Sequence, residues 1–117
     1  MKTAEEHIRH VVETSYISGT VSTVKVISRR FPMEETQENL ALFAYIRDIS
    51  KKYGLGDLQH CVAGGGSDSC YTQAAGIPSI CGLGASGRFQ HTAKEYLNPE
   101  TVALRAKILC AFLLDHR

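Results

Sequence analysis

The sequence predicts an α/β fold, and three observations carry that expectation. From residue 32 onward, segments with helical apolar spacing alternate with short runs that suit a buried strand. Glycines punctuate the junctions, at Gly54, Gly56, Gly76 and the run Gly64-Gly65-Gly66. The length of 117 residues, with 44% hydrophobic and 21% charged residues, is that of one globular unit and not of a disordered, collagenous or coiled-coil chain.

The first element is an amphipathic helix over residues 3–15, where Ala4, Ile8, Val11 and Val12 recur at helical spacing and Glu5, Glu6, Arg9 and Glu13 face elsewhere. After Gly19, residues 20–28 are dense in Val, Thr and Ile, which are stiff at χ1 and suit a pleated strand. One helix and one strand cannot make a sheet, and a strand with unpaired edges tends to recruit another chain. The first thirty or so residues therefore read as part of something larger. Pro32 breaks the pattern, and Thr36 caps a helix running to about Tyr53 with Leu42, Phe43, Ile46, Ile49 and Tyr53 as its buried stripe.

Residues 58–63 read as a short buried strand, residues 68–75 as a short helix stopped by Gly76, and residues 77–81 as another strand. Asn98 and Pro99 occupy the favoured first positions of a final helix, whose apolar face is Val102, Ala106, Leu109, Phe112 and Leu113.

A formal net charge of +1, with no basic run interleaved with aromatics, excludes a nucleic-acid face. The four cysteines, Cys61, Cys70, Cys81 and Cys110, include no CxxC pair, and neither a signal peptide nor a bilayer-spanning run is present. Reduced thiols, a cytoplasmic location and no membrane association are expected. Met1 leads directly into a charged amphipathic stretch, which fits an internal or artificial start.

The run Gly64-Gly65-Gly66-Ser67-Asp68-Ser69 lies between an expected strand and an expected helix, where glycine lets a ligand approach the backbone closely. Two readings stay open: an anion-binding helix start capped by Ser67 or Asp68, or a tight strand-to-helix turn. No Gly-Lys-Ser/Thr follows, so it is not a Walker loop, and Ser69 stands where a nucleophile elbow needs glycine. Residues 82–87 match a dinucleotide fingerprint letter for letter, but Arg88, Phe89, Gln90 and His91 do not continue as a helix, so the match is read as false.

His91 follows that second glycine loop, a suitable place for a metal ligand or an oxyanion contact, although a lone loop histidine is commonly an ordinary surface residue. Thr92 and Glu95 beyond it have capping-box spacing. His7 and His10 lack a third ligand nearby in sequence, and His60 and His116 have less in their favour.

Taken together, RFPMEETQENLALF and VAGGGSDSCYTQAAGIPSICGLGASGRFQHTAKEYLNPETVALRAKIL resemble the closing segment of the aminoacylase and glutamate carboxypeptidase family of zinc exopeptidases, peptidase family M twenty. The family's Gly-Gly-Gly-Ser/Thr-Asp turn, Gly-Ile-Pro strand, Gly-Leu-Gly loop and His-Thr/Ser-x-x-Glu-Tyr turn occur here in that order. The resemblance implies an α/β chain in two parts. Residues 1–31 look like a helix-strand remnant of the lid, or dimerisation, domain, and residues 32–117 like the C-terminal part of a zinc-exopeptidase-like catalytic domain.

It further implies that His91 is a ligand to one of two zinc ions, with cobalt as a possible substitute, and that Gly64, Gly65, Gly66 and Ser67 line the substrate pocket. Arg30 resembles an arginine that meets the substrate carboxylate in some members, though Arg29 is adjacent and a solvent-facing strand end fits equally well. The other zinc ligands and the catalytic glutamate of the family lie in a preceding part that this sequence lacks, so no catalytic residue is assigned within it.

The intact enzyme is then expected to hydrolyse a peptide or N-acyl amide bond next to a free carboxylate, with zinc polarising the carbonyl and lowering the pKa of water. The chain alone is expected to be inactive, because one ligand does not hold a catalytic zinc. A homo-oligomer formed through the lid strand is the expected assembly, and a non-catalytic interaction module pairing through that strand is the alternative.

Overall fold

The computed structural model describes residues 2–115. The chain divides into two units, residues 1–32 and 33–117. In the first, α1 spans Lys2–Glu13. Glu5 accepts from Arg9 one turn on, at 3.0 Å, and also pairs with Arg29, which returns the chain to the helix. The apolar stripe finds little cover, since Ile8 and Val11 stay exposed. Gly19, with φ +81°, turns the chain after the helix, and Thr20 closes that turn with its N–H and hydroxyl on the Ile17 carbonyl at 3.1 and 2.7 Å.

The strand expected over residues 20–28 does not form a ladder among the described residues: Val21 and Ile27 are 92% and 91% exposed. A strand exists only through hydrogen bonds to a neighbour, and β-branched composition cannot supply that neighbour.

The second unit is built on three helices: α2 (Gln37–Lys52), α3 (Ser69–Ala74) and α4 (Pro99–Asp115). Each forms where its local signals place it. The Thr36 hydroxyl accepts from Asn39 N–H at 3.3 Å to cap α2. At the other end Gly54, φ +66°, sits in the left-handed turn of a Schellman motif, with Leu55 N–H on Ser50 O at 2.8 Å and Gly54 N–H on Lys51 O at 3.0 Å. Gly76 ends α3 in the same way, with Ile77 N–H on Thr72 O at 3.1 Å. Asn98 caps α4 through its side chain, which accepts from Glu100 N–H at 3.2 Å, and Pro99 follows as the first helical residue.

The core lies where α2 meets α4. Ile46, Ile49 and Ile108 are buried there, and Tyr45 packs edge-on against Phe112 at 5.7 Å between ring centroids. At the helix ends Lys52 pairs with Asp115 at 2.5 Å, and Tyr45 Oη donates to the same carboxylate at 3.3 Å. The Lys52 ammonium holds the Asp115 carboxyl below its usual range, and the carboxylate in turn raises Lys52. Desolvation, with Asp115 beside it, raises Tyr45.

Two expected helix faces are corrected by this packing. Tyr53 is exposed rather than part of the α2 stripe, because the helix has already ended at Lys52. On α4 the face turned to α2 is that of Ile108 and Phe112, while Val102, Leu109 and Leu113 stay exposed.

The expected strands at residues 58–63 and 77–81 are likewise without a ladder among the described residues. The one sheet among the described residues is a two-residue antiparallel pair, β1 (Gly87–Arg88) with β2 (Tyr96–Leu97). The observed architecture is thus mixed helix with a small sheet, compatible with the α/β expectation.

Candidate functional site

Two loops of the second unit carry the residues singled out by sequence. The first is the glycine run. Gly64 and Gly65 have no left-handed φ, and a Cβ added to either would meet nothing within 4 Å. Neither backbone conformation nor packing within this chain calls for glycine at these two positions, which leaves their open face available to an approaching group.

Ser67 follows, half-buried, and its hydroxyl accepts from Ser69 N–H at 3.2 Å and from the Cys81 thiol at 3.0 Å. It also lies 3.2 Å from the Ser69 hydroxyl. Asp68 stands at the N-cap position of α3 with an αR backbone and no side-chain cap bond, so of the two capping candidates it is Ser67 whose hydroxyl accepts from the first N–H of the helix.

Behind this loop a polar network, unmarked in the sequence, ties three segments together. The buried Asn39 side chain donates to Glu34 O at 2.9 Å and accepts from Ser79 N–H at 2.7 Å. The Ser79 and Thr72 hydroxyls lie 2.6 Å apart, and Gln73 exchanges two hydrogen bonds with the Glu34 backbone at 2.6 and 2.9 Å. Residues 77–81 are thereby held beside α2 and α3, and Cys81 at their end meets Ser67. The network uses Asn, Ser, Thr and Gln far apart in sequence, so no local pattern signals it.

The second loop is the turn between β1 and β2. Asn98 N–H donates to Ser86 O at 2.8 Å, and Ser86 N–H to the Thr101 hydroxyl at 2.9 Å, which anchors the hairpin to the start of α4. Gly87 permits the close pairing: a Cβ there would lie 2.3 Å from Tyr96 O. Phe89 and Tyr96 stack obliquely, with centroids 6.2 Å apart.

His91 stands at the tip, exposed, with φ +64°. Its N–H donates to the Glu95 carboxylate at 3.0 Å. The capping-box reading of Thr92 and Glu95 is corrected here, because no helix follows. Thr92 instead donates its hydroxyl to Phe89 O at 2.7 Å, and Glu95 reaches back to His91. Pro99 was the available signal, since it forces the preceding residue out of helical geometry and leaves no room for a helix starting at Thr92.

The remaining candidates are dispersed. Arg30 is exposed in the first unit, and its neighbour Arg29 is engaged by Glu5. His7 and His10 are exposed on α1. His60 packs edge-on to Phe43 at 5.1 Å and lies 3.9 Å from Glu35, and His116 falls outside the described residues. Among the described residues no group of three or more His, Cys, Asp or Glu side chains is placed to hold a metal ion.

Catalytic zinc requires about three protein donors. The hairpin offers the His91 imidazole, while one oxygen of Glu95 is committed to a backbone N–H. The described residues therefore do not fit a complete zinc centre, and no step through a metal follows from them.

The model of peptidase family M20/M25/M40 matches residues 4–115. The chain belongs to that family, whose members are metal-dependent hydrolases of the peptidase and amidohydrolase kind, generally using zinc. No curated protein and no solved structure matched the chain. No helix among the described residues is long and apolar enough to cross a membrane.

Proposed function

We propose that this chain is the C-terminal part of a cytoplasmic two-zinc exopeptidase or amidohydrolase of the aminoacylase and glutamate carboxypeptidase kind, and that it is inactive by itself. The complete enzyme would cleave a peptide or N-acyl amide bond next to a free carboxylate. His91 would donate its imidazole to the metal site, the Gly64–Ser67 loop would line the substrate pocket, and Arg30 would meet the substrate carboxylate.

The observation that carries this reading is the family match over residues 4–115, set beside a single exposed imidazole at a hairpin tip with no converging ligands among the described residues. A family that works with metal needs donors that this segment does not gather by itself. The purified chain, assayed with zinc or cobalt on N-acyl amino acids and dipeptides, is expected to show no turnover. Metal-dependent hydrolysis at ordinary enzyme rates would overturn the proposal. Genomic sequence upstream of the Met1 codon gives an independent check: an open frame carrying a His-x-Asp motif is expected, and a stop codon with a good initiation site would count against it.

One observation favours the second reading, an interaction module that pairs through residues 20–28. That segment joins no strand ladder among the described residues, with Val21 and Ile27 almost fully exposed. A strict monomer that stays soluble at high concentration in size-exclusion chromatography would exclude it.

A further inference from the structure

The tip of the β1–β2 hairpin holds two non-glycine residues in the left-handed region, Phe89 at φ +59° and His91 at φ +64°. Residues with large side chains rarely adopt this conformation, and where they do the surrounding structure must hold them there. The Phe89 carbonyl is fixed twice, by Thr92 N–H at 3.2 Å and by the Thr92 hydroxyl at 2.7 Å. His91 is held by one side-chain contact, the bond from its N–H to Glu95 Oε2 at 3.0 Å. Glu95 is itself set in place by its own N–H on Thr92 O at 3.1 Å and by the β2 pairing that begins at the next residue.

We propose that Glu95 is a positioning residue for His91: its carboxylate clamps the left-handed turn so that the imidazole leaves the hairpin in one backbone geometry. This inference rests on the reading of His91 as a metal donor. An exposed hairpin tip otherwise samples many conformations, and a ligand that must be ordered at the moment of binding binds more weakly than one already fixed. The glutamate acts through its length as well as its charge. Four residues from His91, it spans the turn to reach the N–H at 3.0 Å, and a side chain one methylene shorter is expected to fall short of it.

The experiment uses the full chain labelled with nitrogen-15 and free of metal, and follows residue 91 in the native protein and in Glu95→Ala, Glu95→Gln and Glu95→Asp. Two quantities are read: the exchange rate of the residue 91 amide, and its φ from heteronuclear three-bond couplings. Loss of a bond from an N–H to a carboxylate is expected to speed exchange about tenfold in Glu95→Ala and to bring φ toward negative values. Glu95→Gln, which keeps reach and an acceptor oxygen, should stay within about threefold of native. Glu95→Asp, which keeps charge but loses reach, should follow Glu95→Ala.

The amides of Ile46 and Ile108 report whether the helical core persists in each variant. A core lost in Glu95→Ala leaves the decision to the Gln and Asp pair. Native protection at residue 91 in Glu95→Asp, or an unprotected residue 91 amide in the native chain, would overturn the proposal. The metal-donor reading is tested by the turnover and reading-frame measurements above, so its failure and the failure of the Glu95 clamp are told apart.

Discussion

Replacing Asn39 by alanine tests the network that holds residues 77–81 in place. The Asn39 amide makes two bonds of 2.9 and 2.7 Å, to Glu34 O and from Ser79 N–H. Ser79 is 7% exposed and Asn39 is 6% exposed, so water cannot readily replace the lost acceptor. A hydrogen bond is worth about 1 kcal/mol net, and a buried donor left unpaired costs about 1–3 kcal/mol more. Asn39→Ala should therefore destabilise the chain by about 2–4 kcal/mol, read as a lowered urea midpoint at constant slope in circular dichroism. Asn39→Asp should lose at least as much, since its buried carboxylate accepts from Ser79 but faces the Glu34 carbonyl with no proton to offer and no cation beside it among the described residues. A midpoint within about 0.5 kcal/mol of native for Asn39→Ala, within the spread of ordinary surface substitutions, would refute the claim that this side chain supports the glycine loop through Ser79.

The remaining predictions concern the hairpin, the core and the ion pair. Gly87→Ala places a Cβ 2.3 Å from Tyr96 O, so the β1–β2 pairing should open, at a cost of about 1–3 kcal/mol, with faster exchange at the amides of 88 and 96. Ile108 is 1% exposed against α2, and Ile108→Ala should cost about 2–4 kcal/mol by the same urea measurement. The depressed Asp115 contributes stability present above its unfolded pKa and lost as pH falls through the folded value. The raised Lys52 contributes stability present below its unfolded pKa and lost as pH rises through the folded value. Thermal midpoints should therefore fall at both extremes, and Asp115→Asn should flatten both limbs if the pair is their source.

The helices were legible because what starts and stops them is local. Thr36, Gly54, Gly76 and the Asn98-Pro99 pair each act within one turn of the helix end they define, and each is found doing so. Strand composition at residues 20–28, 58–63 and 77–81 was equally clear, yet a ladder depends on a neighbour that no local pattern can announce. The buried face of α4 was misread for a related reason. Its apolar residues run nearly all the way round, so periodicity could not say which of them would meet α2. His91 was legible as a loop residue of interest, but its left-handed backbone and the Glu95 clamp were not, because capping-box spacing and a reach-back turn place the same residue types at the same separation.

A helix that is apolar on several sides belongs between two layers, and among the described elements α4 packs on α2 alone. Leu113 remains 67% exposed, on a face whose spacing through Val102, Ala106 and Leu109 is as regular as that of any core helix. The segments at 20–28, 58–63 and 77–81 repeat the point in the sheet direction, joining no ladder among the described residues. The hairpin repeats it in chemistry, presenting one imidazole where a metal site needs several donors. Packing, pairing and coordination are three independent requirements, and the described residues leave each of them open. A domain of this size that folds alone is expected to satisfy the first two internally. The coincidence of the three favours the proposal of a larger hydrolase, which the turnover and reading-frame measurements test.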